Sequence, residues 1–128
     1  MRFSTKSSYG LRAMIKLSQE YNQGSLSLAK ISKDEKISLG YLEKLMAKLK
    51  KQKLVKSTRG VNGGYTLSRT PSKISIKDVL EALEGSIAPF YCAEGGCKAF
   101  KCPAKKVWMK LDKVMKDTLQ KMTLKDLL

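Results

Sequence analysis

Between Ser8 and Tyr21 the apolar residues Tyr9, Ala13, Met14, Leu17 and Tyr21 recur at helical spacing, and Gly24 follows as a stop. The pattern predicts an amphipathic first helix. Ser27 is placed to cap a second, short helix that carries Leu28, Ala29 and Ile31 to about Asp34. Lys36, Ile37 and Ser38 form a tight connection, and Ser38 caps a third helix in which Leu42, Leu45, Met46 and Leu49 fall at i, i+3, i+4 and i+7. The arrangement is helix, short turn, helix.

The period then changes. Leu54 to Thr58 (LVKST) and Tyr65 to Ser68 (YTLS) have strand composition and flank Arg59, Gly60, Val61, Asn62, Gly63 and Gly64, which predicts a hairpin with a Gly/Asn-rich tip. A basic hairpin directly after a helix-turn-helix reads as a wing. Ser75 and Asp78 make a capping-box pattern ahead of Ile76, Val79, Leu80 and Leu83, with Gly85 ending that helix. Pro103 suits the first turn of a last long helix through Val107, Trp108, Leu111, Val114, Met115, Leu119 and Met122. Roughly 19 residues at about 1.5 Å each make a rod near 28 Å. Thr123 and Asp126 cap a short terminal helix. The fold class expected is mainly α: a winged helix-turn-helix with a two-stranded β wing and a long C-terminal dimerisation helix. Residues 1–70 form its DNA-binding region and residues 71–128 a cysteine-loop sensor and dimerisation region, with Pro71 and Ser72 as a hinge inside one compact domain rather than between independently folding halves.

Composition narrows the chemistry. The 128 residues include 26 Lys and Arg against 11 Asp and Glu, a formal charge of +15, with no histidine. Lacking imidazole, the chain cannot build a Ser/His/Asp or Cys/His nucleophile system, so no catalytic residue is assigned and an enzyme is not expected. Residues 1–70 hold 15 Lys and Arg and four acids, residues 71–128 hold 11 Lys and seven acids, so the polyanion-binding face belongs to the first half. There the outer face of the third helix presents Gly40, Tyr41, Glu43, Lys44, Lys48 and Lys51, a mixture suited to double-stranded DNA. Residues at the start of such a helix approach base edges while later lysines meet phosphates. A carboxylate such as Glu43 can accept from a cytosine amino group. At the wing tip Arg59, beside Val61 and Asn62, suits a narrow, electronegative minor groove. A merely solvated amphipathic helix and a merely structural glycine turn are the plainer alternatives.

The second half carries Cys92, Cys97 and Cys102, spaced Cys-x4-Cys-x4-Cys within eleven residues. Neighbouring Lys98, Lys101 and Lys105 favour thiolates, which suit an iron-sulfur cluster or zinc. The fourth ligand is open: Glu94, a hydroxyl, a group from elsewhere in a dimer, or an exogenous thiol. Inert cysteines, direct thiol sensing and an electron-transfer or sulfur-handling protein remain as alternatives. The apolar stripe of the last helix exceeds what a small core can cover, which points to a homodimer, with packing inside the chain as the other outcome. The opening residues lack a secretion-type apolar stretch and no apolar run approaches about 18 residues, so a cytoplasmic protein without a membrane span is expected. No small-molecule substrate is implied.

Together MRFSTKSSYGLRAM, ISLGYLEKLMAKLKKQKLV, RGVNGGYTLSR, the three-cysteine loop and the final TLKDLL resemble the Rrf2 family of bacterial transcription regulators over essentially the whole chain. The resemblance implies a dimeric repressor or activator whose long C-terminal helices cross, bringing each cysteine loop near the partner's DNA-binding region. It also implies DNA contacts from the positions of Ser38, Gly40, Tyr41, Glu43 and Arg59, and an iron-sulfur cluster on Cys92, Cys97 and Cys102. A 2Fe-2S type is favoured, with 4Fe-4S the alternative. The family's iron-sulfur branch typically has five residues between cysteines and a histidine shortly after the third; here there are four, and Lys105 stands at the aligned position. Ser8 lies where some relatives place an acidic ligand.

Overall fold

In the computed structural model, which describes residues 3–90, 93, 95 and 102–128, the first helix starts earlier than its apolar period implies. Helix α1 spans Thr5–Gln19, because Ser4 is its N-cap and accepts from Lys6 N at 3.1 Å. The other caps fall where hydroxyls were expected. Ser27 accepts from Lys30 N at the start of α2 (Leu28–Glu35), and Ser38 from Tyr41 N at the start of α3 (Leu39–Lys51). Between them Lys36 takes a left-handed conformation (φ 55°), which makes the sharp turn. Ala13, Met14 and Leu17 of α1, Ile31, Ile37, and Leu42, Leu45, Met46 and Leu49 of α3 form one buried cluster. The apolar stripe of each helix is thereby removed from water.

Strands β1 (Val55–Thr58) and β2 (Gly64–Leu67) pair antiparallel, with Val55 opposite Leu67 and Thr58 opposite Gly64. The root of this hairpin is tied to the entry of α2. Leu26 N donates to Tyr65 O at 3.0 Å and Tyr65 N returns a bond to Leu26 O at 2.9 Å. A side chain on Gly64 would collide there, since its Cβ would lie 2.3 Å from Leu26 O.

Beyond the hairpin, Pro71 is buried and opens a 3-10 turn, Pro71–Lys73, whose Ser72 and Lys73 are exposed. Helix α4 (Ile76–Glu84) is capped by Ser75 and ends at Gly85, φ +83°. Ile76, Val79, Leu80 and Leu83 join the core. The chain end is laced to the start of α4: Ile76 N donates to Met122 O at 2.8 Å and Leu124 N to Ile74 O at 3.1 Å. Leu124, fully buried, begins a short 3-10 helix, Leu124–Leu127, closed by the Thr123–Asp126 capping box.

Helix α5 (Lys105–Lys121) has 17 residues and starts two residues after Pro103, which sits in the preceding turn. Asp112 is its one buried residue, with Lys116 3.1 Å away. Val107 (59% exposed), Leu111 and Val114 (53%) face solvent along one side. No helix among the described residues is long and apolar enough to cross a membrane.

One polar contact ties the ends of two helices together. Glu84 Oε1 accepts from Ser4 N, Ser4 Oγ and Ser7 Oγ at 2.8, 2.6 and 2.7 Å. Burial alone would raise this carboxyl, but the bonds from Ser4 and Ser7, with the charge of Lys6, leave its pKa below the ordinary 4.5. A depressed folded pKa contributes stability above the unfolded value that is lost as pH falls through the folded one. Glu84→Gln is therefore expected to cost about 1–2 kcal/mol at neutral pH. In urea melts the gap from wild type should narrow as pH falls below the ordinary 4.5; a gap independent of pH would remove the charge from the account.

Candidate nucleic-acid interface

Helix α3 divides cleanly between core and solvent. While Leu42, Leu45, Met46 and Leu49 are buried, Ser38, Leu39, Gly40, Glu43, Lys44 and Lys48 are exposed. A Cβ on Gly40 would meet nothing within 4 Å, so nothing in this chain's own packing requires a glycine there. The space is open to an incoming ligand backbone.

Charge compensation differs between the helices. On α1 and α2 three of the five cations are paired internally, Arg12 with Glu35 at 3.0 Å, and Lys16 and Lys30 with Asp34 at 3.2 and 3.3 Å, while Lys6 and Lys33 are in no ion pair among the described residues. Hydrogen bonds from Lys16 and Lys30 hold the Asp34 carboxyl below its ordinary range. Among the described residues Lys44, Lys48 and Arg59 take part in no ion pair. Their charge is left for an external anion.

Tyr41 behaves differently from its neighbours on the helix. Its ring meets Tyr9 edge-on, with centroids 5.9 Å apart, and its hydroxyl lies 3.1 Å from Thr5 Oγ1. The half-buried side chain braces the first turn of α3 against α1 instead of standing free. Arg12 sits over the other ring of this pair, 5.6 Å from the Tyr9 centroid. Sequence reasoning placed Tyr9 on the apolar stripe and missed this bracing role, which needs the crossing of two helices to become visible.

At the wing, Arg59, Val61 and Asn62 are exposed at the tip, and Val61 is fully so. Gly60 has φ +113°, and a Cβ on Gly63 would lie 2.5 Å from Thr58 O, so the turn specifically uses both glycines. Lys50 Nζ donates to Ser57 Oγ at 2.7 Å and couples the last turn of α3 to β1. Neither that link nor the Leu26–Tyr65 bridge has a local sequence signal.

Of the three cysteines, Cys92 and Cys97 lie outside the described residues, as does Glu94. Cys102 is a half-buried free thiol whose carbonyl accepts from Lys105 N at 3.2 Å. Phe90 and Trp108 stack with centroids 5.2 Å apart, so residues on either side of the cysteine segment meet. Among the described residues no group of three or more carboxylates and thiols forms a metal site.

The family model Rrf2, described as an iron-dependent transcriptional regulator, matches residues 3–128. The chain belongs to the Rrf2 family. Among its relatives, the HTH-type transcriptional regulator CymR of Bacillus subtilis is 38% identical over 99% of this chain and 89% of its own. The structure of T. potens IscR superposes with a TM-score of 0.82 at 38% identity, covering 99% of this chain and 85% of that one. The oxidized form of Staphylococcus aureus CymR gives 0.79 at 35%, covering 99% and 95%. This Rrf2 protein is accordingly a winged-helix, DNA-binding transcriptional regulator.

Proposed function

We propose that the protein is a homodimeric, sequence-specific regulator whose affinity for double-stranded DNA responds to an iron-sulfur cluster on Cys92, Cys97 and Cys102. The observation that carries the DNA reading is the solvent face of α3, exposed and without internal ion pairs among the described residues, beside a wing that ends in Arg59. Ser38, Gly40 and Glu43 would approach bases from the first turns of α3, Lys44 and Lys48 would meet phosphates, and Tyr41 would hold the helix start in place. Arg59 would enter the minor groove with Val61 and Asn62 beside it. Residues 1–70 would supply this surface and residues 71–128 the sensor and dimer contacts. The exposed Val107, Leu111 and Val114 of α5 offer a seam for a second copy.

Three soft donors fit a cluster, and iron dependence is what the family description names. When bound, a cluster supplies a redox-active tie between three points of the chain, the 2Fe-2S type being favoured and the fourth ligand unassigned. It moves the DNA equilibrium only by the difference in its affinity for the two arrangements of the protein. Anaerobic reconstitution with iron and sulfide should give cluster absorption and Mössbauer signatures that any one of Cys92→Ala, Cys97→Ala or Cys102→Ala abolishes without unfolding. Unchanged spectra in those variants would eliminate the assignment. Glu43→Ala, compared in site selections with and without the cluster, is expected to relax the preferred base at one position by about 1–3 kcal/mol. Identical selections in all four experiments would remove Glu43 from readout.

Direct thiol oxidation is the second reading, favoured by the free thiol of Cys102 and by the likeness to the oxidized CymR structure. In that case peroxide, and not iron with sulfide, would change DNA affinity, and dithiothreitol would restore it.

A further inference from the structure

Glu84 is the last residue of α4, and Gly85 turns the chain from there into Ser86–Phe90, two residues short of Cys92. Its carboxylate holds three donors of the first turn of α1. The Ser4 hydroxyl gives its proton to Glu84 while its lone pair takes Lys6 N–H, so the cap of α1 is oriented by a residue of α4. From the same turn Thr5 reaches the Tyr41 hydroxyl in the first turn of α3, and Tyr9, one turn on, supports that ring. The seam has no slack. Gly10 of α1 lies so near α4 that a Cβ would stand 2.4 Å from the buried Leu83 Cδ1. A close-packed contact of this kind passes on a displacement instead of absorbing it.

We propose that Glu84 is a positioning residue for the DNA-reading turn: through Ser4, Ser7 and Thr5 it joins the exit of α4, where the cysteine-bearing segment begins, to Tyr41 at the start of α3. The inference rests on the reading of α3 as the recognition helix and gives that site a regulatory connection. A carboxylate suits the role because one charged oxygen satisfies three donors, which all lose their acceptor if α4 withdraws.

The test uses the full chain carrying Glu84→Gln, Tyr41→Phe, both together, and Asp78→Asn as a control that breaks the Arg69 ion pair on the same helix. Hydrogen exchange is followed at Tyr41 N–H, bonded to Ser38 Oγ, and Leu42 N–H, bonded to Ser38 O. Glu84→Gln should speed both by about threefold or more beyond whatever its lower global stability imposes on the last turn of α3, and Asp78→Asn should show no such excess at the start of the helix. Operator affinity should fall roughly threefold to tenfold at fixed salt while nonspecific DNA binding holds, and the double variant should lose less than the two single losses combined. Exchange changes confined to α1 and α4, or losses that simply add, would overturn the proposal. A wild-type protein with no operator preference would sink the DNA reading separately, and the exchange data would still decide the link to Tyr41.

Discussion

Gly64→Ala is expected to cost about 2–3 kcal/mol of folding stability, a large effect for one methyl group. The added Cβ would lie 2.3 Å from Leu26 O, 2.5 Å from Leu26 C and 2.8 Å from Ser27 N. None of these atoms yields cheaply. Leu26 exchanges both backbone hydrogen bonds with Tyr65, and Ser27 caps α2 through Lys30 N. Relief therefore breaks either the wing root or the start of α2. Gly40→Ala makes the contrast, since its Cβ meets nothing within 4 Å and the residue is the second of α3. That variant should gain up to about 0.5 kcal/mol from helix propensity and bind DNA more weakly. Urea melts of the two proteins, with operator titrations of Gly40→Ala, check the pair. A Gly64→Ala protein as stable as wild type would show that the wing root is free to shift.

Arg59→Ala should weaken operator binding by about 1–3 kcal/mol, or roughly 5–150-fold, and leave the melting temperature in place. Arg59 is exposed at the hairpin tip and in no ion pair among the described residues, so the fold loses nothing with it. Arg59→Lys separates charge from shape. If the guanidinium lies in a narrow minor groove, lysine recovers only part of the loss, because it lacks the planar, weakly hydrated fork. If the contact is to a phosphate alone, lysine restores most of the affinity, and alanine lowers the salt dependence by about one counterion. Full binding by Arg59→Ala would remove the wing tip from the interface.

Much of this architecture is legible because hydroxyls mark helix starts. Ser27, Ser38 and Ser75 each cap the helix that the apolar period leads one to expect, and Thr123 with Asp126 closes the last turn. The start of α1 is not legible, since Thr5 to Ser8 carry no apolar period and the value of Ser4 and Ser7 depends on Glu84, far along the chain. Similarly, Pro71 reads locally as a boundary, and its burial has no local sequence signal. At the candidate interface, composition and period were enough to name the exposed face of α3 and the wing tip. The turning of Tyr41 toward Tyr9 and Thr5 was hidden, because an aromatic one turn into an exposed helix reads the same whether it faces solvent or a neighbour.

The fully exposed Val61 and its neighbours at the wing tip have a further consequence, for how this regulator can change over generations. On α3 the outward residues are interleaved with core residues, and Tyr41 braces the helix against α1, so substitution along that helix disturbs what holds the domain together. Substitutions at Val61 and Asn62 touch no packed neighbour of that kind. With the wing tip contacting DNA as proposed, new preferences can be sampled there while folding stays intact.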